Sequence, residues 1–376
     1  MREKNMLCDL AVDAIAGLRS YQPGKSIDEL QRELGLDEIV KLASNENPLG
    51  PSEDVKEAIA KATAEISLYP DGNGYYLKQA LADKLAVSTD MITLGNGSND
   101  VLDMVGRVFL EPEREVIYSE YAFVVYAITT QAVGAKGRVA SALSINSEQP
   151  YGHDLAAMKA LINGQTSVIF IANPNNPTGT YLELDILESF IKSVPSDVVV
   201  VLDEAYCEYG DKGESKKTIQ WLNKYPNLII TRTFSKAYGL AGLRVGYSIS
   251  QPEVADLLNR VRQPFNVNSL ALVAAKAALD DEAYLEETRV LNQQGLKQLV
   301  AGFTALELNY ISSVGNFICV EVGEAASRVF NDLLKEGVIV RALEPYKMPS
   351  YLRVSVGTLK QNEKFLNALA KVLKNV

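Results

Sequence analysis

The sequence predicts an α/β fold: a large unit with a mostly parallel sheet flanked by helices, and a smaller α+β unit behind it. Three observations carry this. Short apolar runs rich in β-branched residues alternate with helical patterns through the middle of the chain. Past about residue 250 the pattern changes to long helical stretches and then to short mixed segments. The chain has 376 residues, 47% of them hydrophobic, enough for one large core and a second smaller one.

Taken in order, residues 1–45 read as an arm. It runs into "LASNENPLGPS" (42–52), a Pro/Gly/Asn loop before a helix capped by Ser52. Residues 46–260 read as the large unit. Its buried strands are "EVIYS" (115–119), "SVIFIAN" (167–173), "DVVVVLD" (197–203), "LIITRT" (228–233) and "RVGYSIS" (244–250). Helical segments such as 181–194 lie between the first four. Continuously apolar strands in such an alternation imply a parallel sheet covered on both faces. Residues 261–376 read as connecting helices and a small C-terminal unit with strands at 317–322, 338–343 and 351–356.

Composition excludes several classes. A net charge of −10 argues against nucleic acid and anionic membranes as partners. No apolar window reaches the roughly 18 residues that span a bilayer, and the N-terminus lacks a signal-peptide pattern. Cys8, Cys207 and Cys319 have no CxxC spacing, so neither a disulfide framework nor a metal site is expected, and a reducing cytoplasm fits. His153 is the single histidine. It reads as a polar turn residue before the helix "DLAAMKALI", not as a catalytic base.

Ligands of parallel sheets bind beyond the carboxyl ends of the strands. Asp203 ends one strand, with Glu204 and Tyr206 next. Asn173 to Gly179 follow another, and Ser235 and Lys236 a third. A Gly-rich turn, Gly95 to Ser98, precedes a helix whose free N–H groups would suit an anion, although a plain cap at Ser98 is the readier explanation of the turn taken alone. Lys236 and Arg244 are cations in apolar sequence settings. A carboxylate, a phenol, amides, a hydroxyl, a lysine, an arginine and an anion cup together match pyridoxal 5′-phosphate. That cofactor needs an amine for its aldehyde, a carboxylate for its pyridine nitrogen, donors for its phenolate and a phosphate cradle.

At this point the motifs carry a resemblance. "YQPGK", "KLASNENPLGPS", "YPDGNGYYLK", "GNGSND", "NPNNPTGT", "DEAYCEY", "TFSKAYGLAGLRVGY" and "LRVSVGT" occur in this order over nearly the whole chain. The chain resembles the fold-type-I aminotransferases of the aspartate aminotransferase superfamily, and within them the histidinol-phosphate aminotransferases. The resemblance implies Lys236 as the Schiff-base lysine and proton shuttle, and Asp203 as partner of the pyridine nitrogen. It implies Tyr206 and Asn176 on the phenolate oxygen, and Phe123 stacked on the ring. Ser235, Arg244 and the N–H groups of Ser98 and Asn99 would hold the phosphate. Tyr69 would reach the phosphate of a neighbouring subunit, so a homodimer with shared sites is expected. Arg353 would grip the anionic end of the substrate, with Arg341 and Tyr21 as extra contacts to a substrate phosphate. The expected substrates are histidinol phosphate and glutamate/2-oxoglutarate.

Plainer readings stand beside these. Asp203 could cap a turn, Tyr206 and Phe123 could be core aromatics, Tyr69 a turn residue and Arg341 a solvated strand residue. An aromatic amino acid aminotransferase and a threonine-phosphate decarboxylase share the motifs. A DNA-binding regulator built on this fold would need an added basic segment, and a nicotinamide dehydrogenase an early glycine fingerprint that the chain lacks.

Overall fold

The computed structural model describes residues 10–18, 24–211 and 213–374. Its main sheet has seven strands: β1 (Ile92–Gly95), β2 (Glu115–Ser119), β3 (Lys136–Ala140), β4 (Thr166–Ala172), β5 (Val199–Asp203), β6 (Leu228–Thr233) and β7 (Gly246–Ile249). The spatial order is β1-β7-β6-β5-β4-β2-β3. Strands β2 to β6 pair in parallel, while β7 runs antiparallel to both β1 and β6.

The apolar runs are continuous because both faces are covered. Ile169, Ile171, Val200, Leu202 and Ile230 point into one core. Val168, Phe170, Val201 and Ile229 point into another. Alternate residues of one strand thus serve opposite cores, as period-two geometry requires.

A second sheet is antiparallel: β8 (Tyr310–Ile311), β9 (Phe317–Glu321), β10 (Arg341–Ala342) and β11 (Tyr351–Ser355), in the order β10-β11-β9-β8. It has its own core, including Leu299, Phe303, Ile318, Leu352 and Phe365. The helix Glu282–Ala305 joins the two units, with Leu285 in the first core and Leu299 in the second.

Several strands differ from the sequence reading, which named none at Ile92–Gly95 or Tyr310–Ile311. The expected strand 338–343 divides: Val338–Ile339 pairs in parallel with Val40–Lys41 of the arm, while Arg341–Ala342 joins the second sheet. One segment therefore ties the arm to the small sheet. Strand β3, unforeseen, is an edge strand exposed at four of its five positions; its lysine and arginine blunt the open edge and hide the apolar signal. Ser52 caps the helix Glu53–Ala62 as expected. Among the described residues, no helix is long and apolar enough to cross a membrane.

Candidate active site

The carboxyl ends of β4, β5 and β6 and the turn after β1 open onto one cavity of about 460 Å3. Asp203, Tyr206, Ser98, Asn99, Phe123, Asn176, Ser235, Lys236, Arg244, Arg341 and Arg353 all line it. Sequence-distant predictions thus meet in one place.

Asp203 is buried, and burial raises the pKa of its carboxyl. The hydrogen bond from Tyr126 opposes that rise. Tyr126 donates to Oδ2 at 2.8 Å, and Oδ1 is buried without a partner. A buried carboxylate oxygen left bare is costly unless a donor arrives. Lys236 donates to the Ser44 carbonyl at 3.0 Å and lies 5.8 Å from the centre of the Tyr206 ring. Burial first, and then Arg353, depress its pKa to about 8, so a minority of the amine is already neutral near physiological pH, far more than for an ordinary lysine.

The anion cup is built from backbone. The helix Ser98–Phe109 begins after Gly97, whose φ of 81° suits glycine. Gly97, not Ser98, is therefore the capping position. A Cβ on Gly97 would collide with Nη2 of Arg244, and one on Gly246 would collide with the Ser98 nitrogen. Both glycines let a guanidinium and a helix start crowd one spot. Arg244 is exposed, and its Nη1 donates to Ser235 Oγ at 3.2 Å and to the Ala241 carbonyl at 3.0 Å.

Across the cavity, Asn45 Nδ2 donates to Tyr206 Oη at 2.9 Å. The Tyr206 hydroxyl, held protonated by burial with a pKa pushed up to about 12, keeps its own proton for a ligand. Arg353 donates from Nη1 to Asn176 Oδ1 and from Nη2 to the Ala43 carbonyl at 2.8 Å, while its Nε is buried without a partner. Arg341 on β10 sits directly opposite Arg353 on β11. Like charges facing across two strands oppose each other, and an anion between them removes that penalty.

Two predicted residues are elsewhere. Tyr69 does not line the cavity; it is 82% exposed and stacks on Phe265 at 4.7 Å. Tyr21 lies outside the described residues. Sequence reasoning missed Tyr126 and Asn45. Tyr126 follows Phe123 at the i+3 spacing that a helix start places side by side, and this spacing was the available signal. His153 does precede the helix Leu155–Ala160, but it is buried, with Nε2 at 2.9 Å from the Ala172 carbonyl.

These groups fit pyridoxal phosphate. The bare Asp203 Oδ1 suits a protonated ring nitrogen, Lys236 offers the amine, and the Gly97–Ser98 turn with Arg244 and Ser235 forms a phosphate cradle.

A family model, aminotransferase class I and II, matches residues 37–369. The chain is 56% identical to histidinol-phosphate aminotransferase 2 of Pseudomonas aeruginosa, over 97% of this chain and 98% of that protein. It is 51% identical to histidinol-phosphate aminotransferase 1 of Idiomarina loihiensis, over 99% and 100%. The crystal structure of histidinol-phosphate aminotransferase from Sinorhizobium meliloti in complex with pyridoxal-5′-phosphate superposes with a TM-score of 0.87 at 27% identity, covering 97% of this chain and 98% of that one.

Proposed function

The chain belongs to the class I and II aminotransferases, and from that premise we propose the reaction it catalyses: interconversion of histidinol phosphate and 2-oxoglutarate with imidazole acetol phosphate and glutamate, a step of histidine biosynthesis. The two half-reactions alternate in one site. The carrying observation is the facing pair Arg341 and Arg353 in the lining of the cavity that also holds Lys236 and Asp203.

Bound pyridoxal phosphate supplies an aldehyde to carry the amino group and a ring to hold the electron pair released at the substrate Cα. The protein's residues do the rest. Lys236, neutral in a large fraction near pH 8, takes the proton from Cα and returns it on the other side of the transfer. Asp203 would offer a negative charge to the ring nitrogen through Oδ1, with Oδ2 fixed by Tyr126. Tyr206 donates its hydroxyl, and Asn176 its amide N–H, to the ring oxygen. Phe123, in the cavity lining, would stack on the ring. Ser98, Asn99, Ser235 and Arg244 hold the phosphate. Arg353 presents a guanidinium fork that accepts a carboxylate or a phosphate with equal geometry, and so serves both half-reactions. Arg341 adds a second fork, and Tyr21 a phenol, for the phosphate substrate.

The assembly proposed is a homodimer. Ile66, Leu68, Tyr69, Tyr75 and Tyr76 are apolar or aromatic yet between 61% and 82% exposed, which suits a covered face. Tyr69 would then complete the partner's phosphate cradle. Cys207 and Cys319 are free, in keeping with a reducing cytoplasm.

The test is kcat/KM of purified enzyme for histidinol phosphate, phenylalanine, tyrosine, threonine phosphate and glutamate, with bound-cofactor absorption as readout. Preference for histidinol phosphate is expected. Preference for phenylalanine, or carbon dioxide release from threonine phosphate, would replace the assignment.

A further inference from the structure

A second cavity, of about 820 Å3, shares no lining residue with the catalytic one, yet is built from the same strand ends. Tyr206 faces the catalytic cavity, whereas Cys207 and Glu208 face this one; Thr233 and Lys236 face the first, Arg232 and Tyr238 the second. The volume lies in the range of small-molecule sites, roughly 300–1,000 Å3.

Its charges are unevenly matched. Arg232 and Glu204 form a closed buried pair, with Nη2 to Oε2 at 2.6 Å. Glu208 is 91% buried, and its Oε2 has no hydrogen-bond partner. Arg289 donates from Nε to the Glu208 backbone carbonyl at 2.6 Å, and both residues line the cavity. Its Nη1 reaches Glu286 only at 3.4 Å, and that acid is half exposed. Lys216 lies at the exposed rim.

We propose that this cavity is a second ligand site that takes a small zwitterion, its ammonium on Glu208 and its carboxylate on Arg289. A lone cation leaves the guanidinium fork unused, and a lone anion leaves the buried carboxylate bare. Burial, offset in part by Arg232, lifts the Glu208 pKa to about 7. The groups facing it are Arg232 and Glu204 from the strand ends, Cys207 and Tyr209 from its own turn, Tyr238 and Tyr247 from the loop and strand after Lys236, and Arg289 from the long helix. An ammonium on Glu208 favours its ionised form, so binding near neutral pH expels the proton that Glu208 holds part of the time.

The experiment is calorimetric titration of the holoenzyme at pH 7 with β-alanine, and with propylamine and propionate as single-charge controls. Saturable β-alanine binding is expected, at least about tenfold tighter than either control, which corresponds to about 1.4 kcal/mol. The bound-cofactor absorption should stay unchanged. Titration in buffers of different ionisation enthalpy should show proton release. Glu208→Gln should abolish that release and weaken binding about tenfold or more; Arg289→Ala should weaken it similarly. Glutamate turnover in both variants should stay within about twofold of wild type. No saturable binding, an absorption change that tracks it, equal binding of a control, or unaltered binding by Glu208→Gln overturns the proposal.

Discussion

Tyr126 donates its hydroxyl to Oδ2 of Asp203 at 2.8 Å, while Oδ1 of the same carboxylate is buried and bare. One oxygen is anchored so that the other has a fixed direction. The tyrosine is itself locked, fully buried and stacked on Phe170 at 4.7 Å. Its hydrogen bond also opposes the burial that raises the Asp203 pKa. Tyr126→Phe removes both effects. Loss of a charge-assisted hydrogen bond of about 1.5–3 kcal/mol predicts a fall of roughly ten- to a hundredfold in kcat. The acid limb of the kcat/KM pH profile should move upward, because Asp203 then protonates more readily. A profile that stays in place would reduce Tyr126 to a packing residue.

Lys236 yields a second prediction. Its pKa is depressed to about 8, by burial above all, and Glu46 opposes the shift. Below pH 8 the amine is mostly charged and cannot attack an aldehyde. Cofactor capture by the apoenzyme should therefore accelerate with pH and level off above about 8. Glu46→Gln removes the opposing charge and should shift that midpoint downward. Lys236→Ala should abolish turnover by many orders of magnitude. Stopped-flow absorption across pH measures the midpoints, and steady-state rates measure the loss.

His153 gives a stability prediction. Burial lowers its pKa to about 4 from an ordinary value near 6.5. Between these values the unfolded chain binds a proton that the native protein does not. Stability is therefore fully present above pH 6.5 and declines as pH falls towards 4. The loss is at most about 3 kcal/mol. His153→Asn keeps a donor for the Ala172 carbonyl without titrating. Denaturant unfolding at pH 7 and pH 4.5 should show a smaller pH difference in the variant.

Legibility in the sequence followed burial. Strands β4, β5 and β6 stood out because both faces are covered, so each carries a run of apolar residues. Strand β3 was invisible because its outer positions are exposed and charged. The division of 338–343 between two sheets could not be read, since periodicity reports burial and not the partner strand. Asp203 and Lys236 were legible as polar residues just beyond apolar strands. Tyr126 and Asn45 were not, because their partners lie 77 and 161 residues away. A tyrosine inside an apolar helix reads as core until its hydroxyl has somewhere to point.

Tyr69 is exposed in the single chain and far from filling a cofactor contact of its own. If it completes the partner's site, a Lys236→Ala subunit and a Tyr69→Phe subunit should complement each other. A hybrid dimer holds one site with both groups intact. Each hybrid should recover about one wild-type site, and with about half the dimers hybrid after equal mixing the sample should reach about a quarter of wild-type activity once exchange reaches equilibrium. Exchange demonstrated by mass spectrometry with no recovery would place the whole site within one chain.

The last prediction concerns the facing arginines. Arg341 and Arg353 occupy directly opposed positions on β10 and β11, so both guanidiniums project from one face of the sheet. Arg353 is 94% buried and already holds Asn176 and the Ala43 carbonyl, leaving a fixed fork with a buried bare Nε. A residue so committed anchors any anion in one orientation. Arg341 is less buried and adds a second positive charge to the cavity lining. A phosphate dianion offers more oxygens and more charge than a carboxylate and can engage both. One contact made only to the phosphate is worth about 1.5–3 kcal/mol, a preference of roughly ten- to a hundredfold. Arg341→Ala should therefore lower kcat/KM for histidinol phosphate by that factor and leave phenylalanine and glutamate nearly unchanged. Arg353→Ala should weaken all three, because each half-reaction uses the same fork. Equal losses in the Arg341 variant across all substrates would mean that its charge acts on the site as a whole, and the phosphate preference would have to come from another residue.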